Sequence, residues 1–137
     1  MSDNKSIKNK NEIPLLFRNL KKKFGNNIKG PFRKEIQNYQ ATTTPLFLDD
    51  IAEFFKKRYP TKLAAITAWE NGDQITIAYH YINQGNLVEK DSKITIFAFI
   101  EEKNKKIPSI IQHFPMARVF EKEITEQYKI VFTQKDS

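Results

Sequence analysis

The carboxylates and histidines of this sequence have the chemistry for catalysis or metal binding, but their spacing favours neither. Glu121, Glu123 and Glu126 lie close together, and paired carboxylates can serve as general acid and base. On a helix, however, positions 121 and 123 face apart, and lysines surround them. His80 and His113, the two histidines, have no second ligand at the spacing of a metal site. We therefore interpret these residues as structural or as parts of an interface.

The composition argues against cofactor chemistry in this chain. There is no cysteine, which excludes a thiol nucleophile, a thiolate-bound iron-sulfur cluster and a nickel or zinc site built on thiolates. The four glycines are scattered, so they form neither a phosphate-binding loop nor a dinucleotide fingerprint. The sequence thus predicts no catalytic residue, no cofactor-binding residue and no metal ligand here, and any redox centre is expected on another chain.

Length, hydropathy and charge limit the class of protein. The 137 residues suit one domain. No apolar run reaches the roughly 18 to 20 residues that cross a bilayer, and no signal peptide is evident, so we expect a soluble cytoplasmic protein that reaches a membrane only through a partner. The net charge of +7 suits a nucleic-acid surface, but no RNP-like strand or glycine-rich KH loop supports one.

Apolar residues at three- and four-residue intervals predict three helices, which help to position the carboxylates and histidines. The first covers residues 14–24 and is followed by a glycine, a common helix end. The second begins at Thr44, an N-cap followed by a first-turn proline, and is stopped by Pro60. The third covers residues 115–128.

Alternating apolar and polar residues predict strands between these helices. Asn71-Gly72 supplies the positive φ angles of a tight hairpin turn, and the strand after residue 92 is apolar on both faces, which indicates a central position. The segment 26–34 is rich in Asn, Gly, Pro and basic residues and is predicted to be a loop. The predicted strands are 36–43, 63–69, 74–82 and 93–101.

The order of these elements predicts an α+β fold: a largely antiparallel or mixed sheet of about four strands, packed against helices in two layers. Residues 12–132 are expected to form a single domain. Residues 1–11 contain almost nothing apolar and are predicted to be a flexible tail, and residues 133–137 a short C-terminal tail.

The last predicted helix has the pattern of a docking segment. Ala117, Phe120, Ile124 and Tyr128 recur at helical spacing and are expected to face the core, while the charged residues are expected on the opposite face. The predicted partner interface comprises Arg118, Glu121, Lys122, Glu123, Glu126 and Tyr128.

Five stretches, in this order, resemble one known family. They read LAAITAWE (63–70), IAYHY (77–81), IPSI (107–110), FPMA (114–117) and FEKEITEQYKI (120–130). From about residue 46 to residue 132 the chain thus resembles the 30-kilodalton-subunit family of respiratory complex I and of related membrane-bound hydrogenases. Order and spacing agree throughout.

The chain departs from the family pattern at several positions, and these departures indicate which members of the family it resembles most. Lys122 stands where the family has Arg, Glu126 where it has Asp, Tyr128 where it has Phe, and Lys129 where it has Gly. The sequence also ends soon after Phe132, without the His-Pro-containing extension of complex I members. These departures make the chain most similar to the short subunits of membrane-bound, energy-converting nickel-iron hydrogenases.

The resemblance implies a cofactor-free structural subunit in the peripheral arm of an ion-translocating oxidoreductase complex, on the cytoplasmic side of the membrane. Its expected partners are the large catalytic subunit, the small iron-sulfur subunit and the membrane subunits, with the nickel-iron centre and the iron-sulfur clusters on those partners. Two alternatives stay open: the equivalent subunit of respiratory complex I, and a free-standing basic module that binds RNA or an acidic protein.

Overall fold

The computed structural model describes residues 15–35, 38–58, 60–84 and 91–134. The predicted tail 1–11, positions 36 and 37 of a predicted strand, and residues 135–137 lie outside the described residues.

The described residues form three α-helices and seven β-strands. The helices are α1 (Leu15–Phe24), α2 (Leu48–Arg58) and α3 (Ala117–Tyr128). The strands are β1 (Ile28–Glu35), β2 (Asn38–Thr43), β3 (Thr61–Asn71), β4 (Gln74–Asn83), β5 (Ser92–Glu101), β6 (Lys106–Pro108) and β7 (Val131–Thr133).

The main sheet has five strands in the order β1-β2-β5-β4-β3. The β2–β5 pair is parallel and the other three pairs are antiparallel, so the sheet is mixed. The predicted α+β class is therefore confirmed, and β5 lies in the middle of the sheet as its two apolar faces predicted. The sheet has one strand more than the expected four or so.

The additional strand is β1, in the segment predicted to be a loop. Its pairing with β2 shifts register between Lys29 and Phe32, and Gly30 there has φ +107°. A Cβ added at Gly30 would lie 2.9 Å from the Gln40 carbonyl oxygen, so the bulge requires glycine. Glycine and proline are tolerated at such a bulge on an edge strand, and this explains why local composition did not indicate a strand.

The predicted hairpin is present, with a two-residue loop at Gly72 and Asp73. Asn71, the last residue of β3, pairs with Gln74, the first residue of β4. Both Asn71 and Gly72 were expected to have positive φ. In the structure Gly72 has φ 66° and Asn71 does not have positive φ.

The predicted helices are present, and the second and third begin later than expected; the expected start of the first, at residue 14, lies outside the described residues. Residues Pro45–Phe47 form a 3₁₀ turn before α2, and the Thr44 side chain makes no capping hydrogen bond. Helix α3 begins at Ala117, two residues later than expected, and ends at Tyr128 as predicted. Lys129 follows it with φ 62°, the left-handed conformation that commonly terminates a helix.

All three helices contribute to one core on a single face of the sheet, in two layers. The Phe17 ring of α1 lies 4.8 Å from the Tyr39 ring of β2, and the Phe55 ring of α2 lies 4.7 Å from the Tyr81 ring of β4. Ile124 of α3 belongs to the same buried cluster. The opposite side of the sheet carries no described helix.

Strands β6 and β7 form a small parallel sheet that joins the two ends of the C-terminal segment. The Ser109 amide donates to the Thr133 carbonyl at 2.8 Å, and the Val131 amide donates to the Lys105 carbonyl at 2.7 Å. Helix α3 is therefore held at both ends.

Candidate functional site

Glu121 lies on the inward side of α3, with 3% of its surface exposed. Its Oε1 accepts a hydrogen bond from the Ser109 hydroxyl at 2.7 Å, and its Oε2 accepts one from the Ile110 amide at 3.0 Å. The Ser109 hydroxyl oxygen also accepts a bond from the Ile111 amide at 3.1 Å. Both carboxylate oxygens are thus used to bind the turn after β6 to the helix.

Electrostatics around Glu121 fit a structural carboxyl group. Burial raises the pKa of Glu121, and the hydrogen bonds from Ile110 and Ser109 partly offset this increase. Burial also raises the pKa of Tyr79 and of Tyr81, and the nearby Glu121 charge adds to both increases. Neither tyrosine is therefore suited to proton transfer near neutral pH.

The Tyr79 hydroxyl oxygen is buried and has no hydrogen-bond partner within the part of the chain that the structure describes. Tyr79 is fully buried in β4, beside the position of Glu121 in the core. An unpaired buried hydroxyl costs stability, so the Tyr79 hydroxyl is expected to reduce the stability of the folded domain.

A second polar contact lies between α2 and the segment before α3. His113 Nε2 lies 3.2 Å from Asp49 Oδ1, and each side chain is 9% exposed. This separation suits an ion pair when the histidine is protonated, although the orientation is not that of a hydrogen bond. The neighbouring Phe114 ring packs 5.5 Å from the Tyr81 ring. The segment before α3 is therefore anchored to both layers.

His80 lies on the opposite side of the sheet, away from these carboxylates. Its Nε2 lies 2.9 Å from the Thr67 hydroxyl and its Nδ1 3.4 Å from the Thr95 hydroxyl. Burial lowers the pKa of His80, so the ring is neutral at neutral pH. Two hydroxyl neighbours provide neither a metal site nor a catalytic partner.

The predicted interface residues separate into two groups. Glu121 was expected on the exposed face and is instead buried, and the Tyr128 hydroxyl donates to the Ala68 carbonyl at 3.0 Å. The side chains of both residues make hydrogen bonds to other residues of this chain. The remaining four are exposed on α3: Arg118, Lys122, Glu123 and Glu126. Their role as an interface stays a prediction.

The buried position of Glu121 follows a signal that the sequence contains. Ala117, Glu121, Ile124 and Tyr128 are spaced four, three and four residues apart, which is the spacing of an inward face. Its negative charge led to the opposite assignment. Ser109 and Asp49 are further buried polar residues that the sequence analysis did not single out as parts of a site.

Two open cavities occur at the hairpin end of the sheet. The larger, about 650 Å³, is lined by Asn71, Asp73, Gln74, Glu101, Glu102 and Lys103. The smaller, about 520 Å³, lies beside the 3₁₀ turn Pro45–Phe47 and includes Leu46 and Phe99. Across residues 15–35, 38–58, 60–84 and 91–134, no group of three or more His, Cys, Asp or Glu residues is arranged to hold a metal ion. In the same ranges no helix is long and apolar enough to span a membrane.

Residues 41–137 match the family described as "Respiratory-chain NADH dehydrogenase, 30 Kd subunit". No curated protein matches the chain.

Two of the solved structures that match this chain illustrate the shared fold. A chain of the membrane-bound sulfane sulfur reductase (MBS), an archaeal respiratory membrane complex, is 19% identical with a TM-score of 0.71, over 85% of this chain and 68% of that chain. The trypsin-resistant fragment (1–134) of Nqo5 is 16% identical with a TM-score of 0.65, over 85% of this chain and 94% of that chain. At these identities the likeness is one of fold.

Proposed function

The chain belongs to the family of the respiratory-chain NADH dehydrogenase 30 Kd subunit, and from this membership we propose that it is a structural subunit of a membrane-bound oxidoreductase complex. The family match over residues 41–137 is the observation that carries the proposal. We propose that the chain lies in the peripheral arm, on the cytoplasmic side, where it positions the large catalytic subunit and the small iron-sulfur subunit. The nickel-iron centre and the iron-sulfur clusters would belong to those partners.

The described side chains support a positioning role rather than a catalytic one. The buried carboxylate of Glu121 uses both oxygens to bind Ser109 and Ile110, so neither is directed toward a substrate. Its raised pKa is explained by burial in a structural contact. The sequence contains no cysteine that could ligate a cluster.

Helix α3 provides the proposed docking surface. Arg118, Lys122, Glu123 and Glu126 are exposed along one helix whose inward side and both ends are fixed to the rest of the domain. A surface that is rigid before binding loses less entropy when a partner docks. Charged residues of both signs suit specific recognition of a complementary protein surface.

We propose the energy-converting nickel-iron hydrogenase type as the assembly, because the chain departs from the family pattern at Lys122, Glu126, Tyr128 and Lys129. The equivalent subunit of respiratory complex I is the second candidate, and the description of the matched family favours it. Both candidates share the same positioning role, and they differ in the large subunit that should accompany this chain.

Copurification tests the proposal. The full chain would be tagged in its native cell, membranes solubilised gently, and the copurified proteins identified by mass spectrometry at moderate salt. A nickel-iron large subunit with iron-sulfur and membrane subunits supports the hydrogenase type, and a complex I set supports the second candidate. Recovery of the chain alone, or with RNA that is lost steeply as salt rises, would reject both.

A further inference from the structure

The side of the main sheet that faces away from the helices, here the outer face, carries a cluster of aromatic and small side chains. Strand pairing places Trp69 opposite Thr76 and Thr76 opposite Phe99, while Ala78 lies opposite Phe97. Residues directly opposite each other point to the same side of a sheet. The Trp69 and Phe97 rings meet edge to face with centroids 6.4 Å apart. We call these five residues the aromatic patch.

Large apolar surface in the aromatic patch remains open to solvent. Trp69 is 42% exposed and Phe99 41% exposed, while Thr76 and Ala78 between them are buried. Leu46, which is 73% exposed, lines the cavity of about 520 Å³ that also contains Phe99. Contiguous exposed apolar surface on a soluble domain commonly marks a protein contact.

The opposite end of the outer face is basic. Lys62 pairs with Ile82, and Ile82 pairs with Lys93, so the two lysines lie in one row on either side of an apolar residue. A third lysine, Lys29, lies on the edge strand in the row of Phe97 and not at this end, because it pairs with Thr42 and Thr42 pairs with Phe97. All three lysines are exposed. A carboxylate on this face, Glu101, lies at the other end, opposite Gln74.

We propose that the outer face docks another subunit of the same complex, through an apolar surface against the aromatic patch and carboxylates against Lys62 and Lys93. The inference rests on the proposed function, and it assigns a second contact surface on the side of the sheet opposite to α3. A second copy of this chain fits the two lysines poorly: with the basic ends together like charges meet, and with the faces reversed Glu101 lies against two lysines. A nucleic acid is disfavoured because the middle of the face carries rings and hydroxyl groups instead of cations.

His80 fits this use of the surface. It lies between the aromatic patch and the lysines, with its ring nitrogens beside the Thr67 and Thr95 hydroxyls. Because burial lowers its pKa, the ring is neutral and can be covered by a partner at less cost than a cation.

Site-specific cross-linking tests the docking surface in the intact complex. The photoreactive residue p-benzoylphenylalanine would replace Phe99 in the tagged full chain, with the same replacement at Leu15 as the matched control. Leu15 is 63% exposed on α1, in the helical layer. The expected result is a cross-link from position 99 to a subunit that copurifies with the wild-type chain, at a segment containing carboxylates, and none to that segment from position 15. A cross-link from position 99 to a second copy of this chain, or to its own residues 1–14, would overturn the proposal.

Charge reversal provides an independent measurement. The variants Lys62→Glu and Lys93→Glu should each reduce the copurified partner about fivefold at moderate salt, the effect of losing one exposed ion pair of about 1 kcal/mol. Lys57→Glu on the exposed side of α2 is the control and should change nothing. Full recovery with both outer-face variants, while the wild-type chain still copurifies with its complex, would reject the docking surface alone. Failure of the wild-type chain to copurify with any subunit would instead reject the proposed function.

Discussion

Ser109 and Glu121 lie 12 residues apart in the chain, and their side chains meet at 2.7 Å inside the protein. The contact joins the turn after β6 to the second turn of α3. Since the Ile110 amide binds the second carboxylate oxygen, the turn and the helix are held together at two points. The surface presented by α3 therefore depends on a residue that no partner can reach.

Glu121→Ala should destabilise the domain by about 2 to 3 kcal/mol, because the Ser109 hydroxyl and the Ile110 amide would be left buried without an acceptor. Urea denaturation of the full chain measures this change. Glu123→Ala is the matched control: the side chain is exposed on the same helix, and its loss should cost about 0.5 kcal/mol or less. Equal effects at the two positions would contradict the structural role of Glu121.

Glu121 should also make stability depend on pH. Its pKa is raised in the folded chain by burial, so the folded state keeps this proton to a higher pH than the unfolded state does. The stabilisation from protonation is fully present below the unfolded pKa and is lost as pH rises through the folded pKa. The unfolding free energy of the wild type, measured relative to that of Glu121→Gln, should therefore decrease as the pH rises from about 4 to about 8. A difference that is constant over this range would contradict the raised pKa.

Tyr79→Phe should leave stability unchanged or raise it by about 1 kcal/mol, because it removes a buried hydroxyl that has no partner among the described residues. Tyr128→Phe makes the same chemical change at a hydroxyl that donates to the Ala68 carbonyl, and it should cost about 1 kcal/mol. Thermal or urea unfolding should show that Tyr128→Phe lowers the stability of the domain, whereas Tyr79→Phe raises it or leaves it unchanged. A larger loss at position 79 would mean that its hydroxyl is satisfied in solution.

Lys129→Gly should stabilise the domain by about 1 kcal/mol. Lys129 has φ 62°, a conformation that costs a residue with a Cβ roughly 1 to 2 kcal/mol and costs glycine little. The variant loses the bond from Lys129 Nζ to the Glu126 carbonyl, which is exposed and therefore weak. Lys122→Gly, in the middle of the same helix, is the control and should destabilise by about 1 kcal/mol in the same unfolding measurement. Destabilisation at both positions would contradict the account of the helix end.

Regular periodicity made much of this fold predictable. The hairpin has its turn residues at Asn71-Gly72, the central strand is apolar on both faces, and the helices have clear apolar spacing, so their local patterns and their tertiary environment agree. Strand β1 was missed because Gly30 and the bulge beside it conceal a strand that is stabilised by its pairing with β2. The three-residue strands β6 and β7 pair across the whole of α3, and such short segments carry no local pattern that indicates a distant partner.

The candidate site was less predictable than the fold. The position of α3 and its exposed charges followed from the sequence, but the inward position of Glu121 did not, because a carboxylate on an inward face is stable only with its particular donors. Those donors come from a turn whose position is set by the pairing of β6 with β7. Similarly, the approach of His113 to Asp49 joins segments that are distant in sequence.

Charge reversal on the exposed side of α3 tests the predicted interface without disturbing the core. Glu121 is unsuitable for this test because a lysine there would be buried and would unfold the domain whatever its effect on a partner. Arg118→Glu and Lys122→Glu change exposed residues, so the unfolding free energy should remain within about 0.5 kcal/mol of wild type. Recovery of partner subunits at moderate salt should fall about fivefold for each, as for an exposed ion pair of about 1 kcal/mol. Lys22→Glu on α1, another exposed lysine on a helix, should leave recovery unchanged. If the α3 variants recover the complex as fully as Lys22→Glu does, α3 contributes shape to this domain and not contact with a partner.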